Sequence, residues 1–243
     1  MRRRFFVKQF GNGIAIIEGE TAHHLGRVLR AHEGQLYELS DGEKVWLGRI
    51  TKVARDTVEF ALQEKLEAHR PALDVALLLA VVKFDSFEWA IEKATELSVA
   101  TIVPLAAARS EKALLRAAEK RSARWKKILA ESSQQSRRLR IPLLSPLMRP
   151  EDAFSSFHAG MKLLLSERPD PPPMRKFLTG VRAANATIAI GPEGGWTDNE
   201  FELAAKAGFQ QVSLGNLILR TETAVVAALV SLNYALGEDG ALD

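Results

Sequence analysis

The sequence contains no cysteine, which excludes disulfide bonds and thiolate metal sites and suits the reducing cytoplasm. Its longest unbroken apolar run, Val75 to Val82, is far shorter than the roughly 20 residues that a membrane-spanning helix needs. The five histidines do not cluster, and the adjacent pair His23-His24 would point apart on a helix. We therefore expect a cytoplasmic protein with no membrane span and no metal site.

Three common fingerprints of enzyme sites are also missing. No G-x-G-x-x-G follows a predicted strand, and neither G-x-x-x-x-G-K-[ST] nor G-x-S-x-G occurs. Dinucleotide-binding, P-loop and α/β-hydrolase interpretations therefore have no support in the sequence.

Positive charge is present but unevenly distributed. The chain carries a net charge of only +3, yet residues 109–140 hold eleven Lys or Arg against three Glu, a local charge of +8. Such a block is either a solvated helix face or a stripe that binds phosphates, as a nucleic-acid partner requires. With 47% apolar residues, the 243-residue chain can form the packed core of one large domain or of two smaller ones.

Residues 1–63 are predicted to be rich in short strands, which favours a small barrel. One helix interrupts them, Thr21 to Arg30, with Leu25 and Val28 on its apolar face. The polar stretch from Glu64 to Pro71 is predicted to be a linker. The predicted strands before it are Phe5 to Phe10, Ile14 to Glu18, Leu36 to Leu39, Val45 to Val53 and Thr57 to Leu62.

After the linker, apolar runs alternate with helical patterns, which predicts parallel strands in a doubly wound α/β layer. Asp85 is predicted to cap a helix that has Glu88 in its first turn, and Pro104 to close the strand that begins at Thr101. The last helix, Glu222 to Leu236, is apolar on nearly every side, which favours a second subunit as its cover. The other predicted elements are the strands Val75 to Val82, Met161 to Leu165, Thr187 to Ile190 and Gln211 to Leu214, and the helices Glu119 to Arg138, Glu151 to His158, Met174 to Val181 and Asn199 to Ala207.

Two glycine-rich turns lie within this second part. Gly191 to Trp196 follows one predicted strand, and Gly215-Asn216 follows the next one along the chain. We expect both turns at the carboxyl ends of neighbouring strands, the edge at which open α/β sheets bind ligands. Glycine there lets the backbone approach a ligand without a Cβ in the way. Thr197 or Asp198 is predicted to cap the helix that follows the first turn.

Three charged residues, Glu193, Arg220 and Glu222, stand among apolar or glycine neighbours, where structure alone gives little reason to place a charge. The segments that hold them are GPEGGWTDNE (191–200) and LGNLILRTETA (214–224). These segments resemble the two signature motifs of the ribosomal RNA small subunit methyltransferase E family, which belongs to the SPOUT class of knotted S-adenosylmethionine enzymes.

Other parts of the chain resemble the same family. Residues 83–97, which begin Lys83-Phe84-Asp85, match a third family segment, although Ser98 stands where the family has glycine. Residues 133–142 are similar to a fourth. The start of the chain, residues 4–30, resembles the RNA-binding PUA-like domain of these enzymes. The resemblance therefore extends over the whole sequence.

The resemblance implies an α/β fold in which a small PUA-like β-barrel, residues 1–70, precedes a SPOUT domain, residues 71–243. The SPOUT domain is implied to have a parallel sheet with helices on both faces and a C-terminal trefoil knot. The implied activity is methylation of N3 of one uridine in 16S rRNA, with S-adenosylmethionine as cofactor. The implied partners are 16S rRNA or the small ribosomal subunit, and a second copy of the chain.

The resemblance also implies roles for individual residues. Arg220 is placed to hold a phosphate or to stabilise negative charge on the uracil, and Glu193 or Glu222 to accept the N3 proton. The implied cofactor-binding residues are Leu165, Gly191, Gly194, Gly195, Leu214, Gly215, Leu219, Thr223 and Ala224. The implied RNA-binding residues are Arg4, Arg27, Arg30, Lys83, Gln135, Arg137 and Arg138.

Three alternatives stay open. The chain could methylate another nucleotide of rRNA or tRNA, because no residue encodes the target position. It could bind RNA without catalysis, although the intact glycines of both turns argue against that. A metabolic enzyme for a phosphorylated small molecule would explain the turns but not the basic segment.

Overall fold

A computed structural model of the chain describes residues 3–237. The chain forms two compact units. The first holds the chain up to Arg70 together with Ala130–Ile141, and the second holds Pro71–Leu129 and the chain from Pro142 onward. The sequence predicted a single boundary near residue 70, whereas the structure groups a segment from the middle of the chain with the N-terminal unit.

The first unit is built on a five-stranded sheet. Its strands are β1 (Arg4–Phe6), β2 (Ile14–Glu18), β3 (Leu36–Ser40), β4 (Val45–Val53) and β5 (Thr57–Leu66). The strand order is β1-β3-β4-β5-β2, with β1 parallel to β3 and the other neighbours antiparallel. β1 and β2 form the two edges, so this sheet corresponds to the predicted small barrel without closing into a ring.

Three predictions for this unit are wrong. The predicted strand Phe5 to Phe10 is shorter, because β1 ends at Phe6. β5 continues through the start of the predicted linker, because Glu64 and Leu66 pair with Leu47 and Val45 of β4. The predicted regular helix is α1 (Gly19–His23) followed by a π-helical segment, His24–Val28. The wider π turn rotates Val28 out of the apolar face, and Val28 is 63% exposed.

The segment Ala130–Ile141 is fixed to the sheet of the first unit by polar contacts. Ser40 Oγ donates to the Leu139 carbonyl at 2.8 Å. Glu38, a buried carboxylate on β3, pairs with Arg4 at 2.8 Å and with Arg137 at 3.4 Å. The apolar core of the unit contains Phe5, Leu25, Leu39, Ile50 and Phe60, among others.

The second unit is a six-stranded, wholly parallel sheet. Its strands are β6 (Asp74–Ala80), β7 (Thr101–Leu105), β8 (Leu143–Leu144), β9 (Met161–Leu165), β10 (Asn185–Ile190) and β11 (Gln210–Val212), in the order β11-β9-β10-β6-β7-β8. Its helices are α2 (Phe84–Glu96), α3 (Lys112–Gln135, which ends in the first unit), α4 (Pro150–Ser156), α5 (Met174–Leu178), α6 (Asp198–Lys206) and α7 (Thr221–Leu236).

Helices cover both faces of this sheet, as predicted. Leu77 and Leu79 of β6 point into one apolar core, which also contains side chains of α2, α3, α5 and α7. Leu78 and Ala80 point into a second core, which is completed by α4 and α6. Because successive side chains of a strand alternate between faces, a strand covered on both sides is a continuous apolar run.

Three local predictions in this unit are wrong. α2 begins at Phe84 and its capping position is Lys83, so Asp85 is not the cap. Pro104 lies inside β7, where its carbonyl accepts from Met148 N at 3.0 Å. That carbonyl faces away from β6, so the missing N–H of Pro104 removes no hydrogen bond to β6. α3 begins before Glu119, because residues 112–118 are mostly strong helix formers.

The last two helices of the second unit are α6, whose start is capped, and α7, which is partly exposed. Thr197, one of the two residues predicted as the cap, caps α6 in a capping box with Glu200. Within one chain α7 is not buried all round, because Val230 is 47% exposed and Tyr234 93%. Among residues 3–237, no helix is both long enough and apolar enough to cross a membrane.

Candidate functional site

A pocket lies at the carboxyl ends of β9, β10 and β11, and the three loops that follow these strands form its walls. β9 lies between β10 and β11 in the sheet, so the prediction that β10 and β11 are neighbours is wrong. The loop after β9 therefore becomes a wall of the pocket, beside the two glycine-rich turns.

The turn after β10 is held by its own backbone and by one tryptophan. Gly195 N donates to the Pro192 carbonyl at 2.8 Å, and Gly195 has a φ of +69°, which residues with a Cβ rarely adopt. Trp196 is buried, and its Nε1 donates to the Leu165 carbonyl at 3.0 Å. A Cβ on Gly191 would lie 3.0 Å from the indole ring of Trp196. The indole thus fixes the turn against the end of β9.

Gly195 also makes room for a side chain of the neighbouring loop. A Cβ at Gly195 would lie 2.7 Å from Cδ of Glu167, and closer still to the carboxylate Oε1. Glu167 follows β9 and lines the pocket. Its carboxylate occupies the space that the missing side chain of Gly195 leaves open, so the close approach at this glycine is made within the chain itself.

The turn after β11 is tied to the turn after β10 by one hydrogen bond. Thr221, the first residue of α7, is 4% exposed, and its Oγ1 donates to the Gly191 carbonyl at 3.1 Å. Gly215 has a φ of +135°, which favours glycine. Leu217 and Ile218 line the mouth of the pocket with side chains that are more than 80% exposed.

Gly194 faces away from the pocket. Its carbonyl accepts from Arg109 Nη1 at 2.7 Å, and a Cβ on Gly194 would lie 3.3 Å from the Arg109 side chain. Beside it, the buried Glu200 carboxylate accepts from Ala108 N and Thr197 N, both at 2.8 Å. The loop after β7 thus supports the outer side of the glycine-rich turn.

The three candidate catalytic residues have different surroundings. Glu193 lines the pocket and is exposed, and Arg220 is exposed just before α7. Glu222 is half-buried, and its Oε2 is buried without a hydrogen-bond partner among the described residues. The expectation that all three are pressed against apolar neighbours therefore holds only for Glu222.

Seven of the nine predicted cofactor-binding residues line the pocket: Leu165, Gly191, Gly195, Leu214, Gly215, Leu219 and Ala224. Gly194 and Thr223 do not, and Thr221 lines it in place of Thr223. The sequence did not single out the other lining residues, which are Ser166, Glu167, Arg168, Ile190, Pro192, Asn216, Leu217, Ile218 and Thr221. Ser166 to Arg168 were missed because their pattern resembles any polar strand end, and only the strand order brings them here.

Arg4 is not available for RNA, contrary to the prediction. Its side chain is buried, it donates to Glu38 Oε2 at 2.8 Å, and it also donates to the Arg137 carbonyl at 2.6 Å. Arg137 pairs with the same carboxylate. Arg138 Nε donates to the Arg140 carbonyl, and burial lowers the pKa of the Arg138 guanidinium to about 10. These arginines hold the first unit together.

The remaining predicted RNA-binding residues are on the surface. Arg27, Arg30, Lys83 and Gln135 are exposed, and Arg30 has a φ of +51°. Arg27, Arg30 and Gln135 belong to the first unit, whereas Lys83 and the pocket-lining residues belong to the second. Within residues 3–237, no group of three His, Asp or Glu side chains is arranged to hold a metal ion.

Comparisons with known proteins identify the family. Residues 69–233 match the family model described as an RNA methyltransferase domain, and residues 17–63 match that of an RNA methyltransferase PUA domain. The ribosomal RNA small subunit methyltransferase E of a Synechocystis strain is 36% identical, with 88% of this chain and 71% of that protein covered. The chain belongs to the ribosomal RNA small subunit methyltransferase E family.

Other relatives are similar over nearly their full length. The Mesomycoplasma hyopneumoniae enzyme is 32% identical and covers 93% of this chain and 96% of its own. The Neisseria gonorrhoeae family member, whose crystal structure was solved with bound S-adenosylmethionine, is 29% identical in sequence. The two structures align with a TM-score of 0.86 over 98% of this chain and 99% of that one. A Legionella pneumophila methyltransferase in complex with S-adenosylmethionine is 29% identical with a TM-score of 0.88 and the same coverage. The resemblance stated from the two motifs is confirmed.

The bond between Thr221 and Gly191 generates a prediction. We expect Thr221→Val to lower the free energy of unfolding by about 1 kcal/mol, because the Gly191 carbonyl loses its donor. Amide hydrogen exchange at residues 191–195 should also become faster, since the two turns are no longer linked. Thr221→Ser, which keeps the hydroxyl donor, is the matched control. Urea unfolding that gives equal values for both variants would contradict the assignment.

Proposed function

We propose that this chain transfers the methyl group of S-adenosylmethionine to N3 of a uridine in the 16S rRNA of the small ribosomal subunit. The observation that carries the proposal is the pocket made by the loops after β9, β10 and β11, in a family with solved members that hold this cofactor. The PUA domain supports an RNA substrate. We place the reaction in the cytoplasm.

The residues of the pocket fit the proposed cofactor. The pocket has apolar side chains that suit an adenine ring, and the exposed turn at Gly215 leaves backbone groups accessible. Two carboxylates, Glu167 and Glu193, line the same pocket and suit a cofactor that carries a sulfonium and an ammonium. These apolar side chains are Leu165, Ile190, Leu214, Leu219 and Ala224. The trefoil knot of the SPOUT class stays a prediction.

The chain's own residues have to position the base and place charge around it. When bound, S-adenosylmethionine supplies an electrophilic methyl group and a neutral thioether leaving group. The uracil must leave its stack so that N3 can face the pocket. A carboxylate then accepts the N3 proton, and the position of Glu193 in the lining makes it our first candidate, with Glu222 as the second. Arg220 stabilises the negative charge that develops on the uracil oxygens.

The Gly195 turn provides a test of the cofactor site. We expect Gly195→Ala to weaken S-adenosylmethionine binding by tenfold or more, because its Cβ displaces the Glu167 carboxylate into the pocket. Gly208→Ala is the matched control, since Gly208 has a φ of +86° and nothing within 4 Å of a Cβ. The two variants share the backbone strain but not the contact with Glu167. Calorimetry that shows equal affinities for both would refute this role of Gly195.

Arg220 provides a test of the chemistry. We expect Arg220→Ala to retain cofactor affinity and to lose about 100-fold in rate, which corresponds to roughly 3 kcal/mol of transition-state stabilisation. The assay is methyl incorporation into small subunits that lack the modification, with mapping of the methylated nucleotide. Arg182→Ala, another exposed arginine of the second unit, is the control and should keep full activity. Methylation by the wild-type chain at a different nucleotide would discard the uridine target.

The exposed face of α7 supports the proposal of a homodimer. Thr223, Val230 and Tyr234 are exposed on one side of the helix, while Val225 and Leu229 are buried on the other. The Val230 side chain and the Tyr234 ring leave apolar surface exposed on this side, and burial of that surface by a partner is favourable. We infer that a second copy of the chain covers this face.

Light scattering measures this oligomeric state directly. At micromolar concentration we expect about twice the chain mass of 26.8 kDa. Tyr234→Glu, which places a charge in the contact, should yield the monomer, whereas Arg175→Glu on α5 should not. A wild-type protein that is monomeric at this concentration would end the proposal.

A further inference from the structure

Two groups of positive charges on helix α3 differ in their surroundings, and the first group is paired. Glu88, a buried carboxylate on α2, accepts from Arg124 Nε at 2.7 Å and lies 3.5 Å from Arg121 Nη1. The Arg121 guanidinium also lies over the Phe84 ring, 4.5 Å from its centre. These arginines join α3 to α2, so their place in the sequence is explained by the fold.

The second group has no such explanation. Lys112, Arg116 and Lys120, which we call the outer row, are exposed and four residues apart along the helix. None of the three forms an ion pair with any residue between 3 and 237. Three or four residues make one helical turn, so the outer row lies along one side of α3 over about 12 Å. The buried Ala118 and Trp125 face the opposite side.

The outer row is unfavourable for the helix that carries it. Like charges four residues apart repel by about 0.2–0.5 kcal/mol per pair. Lys112 is the first residue of α3, where the positive end of the helix dipole also disfavours a cation. Acidic residues would stabilise the first turn of α3 better than these cations do. The stability of the helix therefore does not explain the outer row.

We propose that the outer row binds the phosphate backbone of the RNA substrate, an inference that rests on the proposed function. The row offers three cations to an anionic polymer, which is the charge complementarity that phosphate binding requires. The exposed residues between them are Ala113 and Glu119, with no aromatic ring to stack on a base. The contact therefore positions the RNA without reading its sequence. The Arg137 and Arg138 end of the basic segment, by contrast, is engaged within the first unit.

The test compares two triple variants that remove the same charge. One replaces Lys112, Arg116 and Lys120 by Ala, and the control replaces the exposed Arg175, Lys176 and Arg182 of the same unit by Ala. The probe is a fragment of 16S rRNA, with affinity measured between 50 and 300 mM potassium chloride. The slope of log affinity against log salt concentration is negative. We expect it to be shallower by about 2 in the outer-row variant, since each lost phosphate contact on a single strand removes about 0.7 from its magnitude.

Two single variants and a second readout make the test independent of any folding defect. Arg116→Ala should reduce the steepness of the slope by about 0.7, and Glu119→Gln should tighten binding, because it removes a carboxylate beside the row. S-adenosylmethionine affinity and the rate at saturating RNA should stay at wild-type values in all variants. If the wild-type chain binds RNA but does not methylate it, the proposed function fails while the role of the row is still measured.

Two results would overturn the proposal. An unchanged salt slope in the outer-row variant would show that the row makes no phosphate contacts. An equal loss in the control variant would show that RNA binding follows overall charge rather than this face of α3.

Discussion

The position of β9 between β10 and β11 is the constraint on which the candidate site depends. Parallel strands place all their carboxyl ends at one edge of the sheet, and the insertion of β9 brings a third loop between the two glycine-rich turns. Direct pairing of β10 with β11 would leave Glu167 and its neighbours outside the pocket. The chemistry of the wall is thus set by strand order as much as by the two sequence motifs.

Three short-range contacts convert that strand order into a defined pocket. The Trp196 indole donates to the end of β9, the Glu167 carboxylate lies where Gly195 has no side chain, and Thr221 joins α7 to the turn after β10. Each contact links two different loops. A pocket whose walls are held by one another before a ligand arrives loses less conformational entropy on binding.

Much of the second unit could be predicted because its signals are local. The apolar run from Val75 to Val82 reflects a strand covered on both faces, and Thr197 with Glu200 is a capping box that can be identified from spacing alone. What could not be predicted depends on residues far apart in the sequence. Arg4 was assigned to RNA from the family resemblance, and its actual partner, Glu38, is 34 residues away in the sequence. The order of β9, β10 and β11 has no local signature at all.

The grouping of Ala130–Ile141 with the first unit has a consequence for the order of events during synthesis. The last strand of this sheet ends at Leu66, but Leu139 and Arg137, the partners of Ser40 and Glu38, are synthesised only after Pro71–Leu129 of the second unit. All five strands of the first unit are therefore synthesised before the segment Ala130–Ile141 that belongs with them, and β6 and β7 are synthesised in the interval. A fragment cut after Arg70 would contain all five strands and still lack the acceptor for the Ser40 hydroxyl and one arginine partner of Glu38.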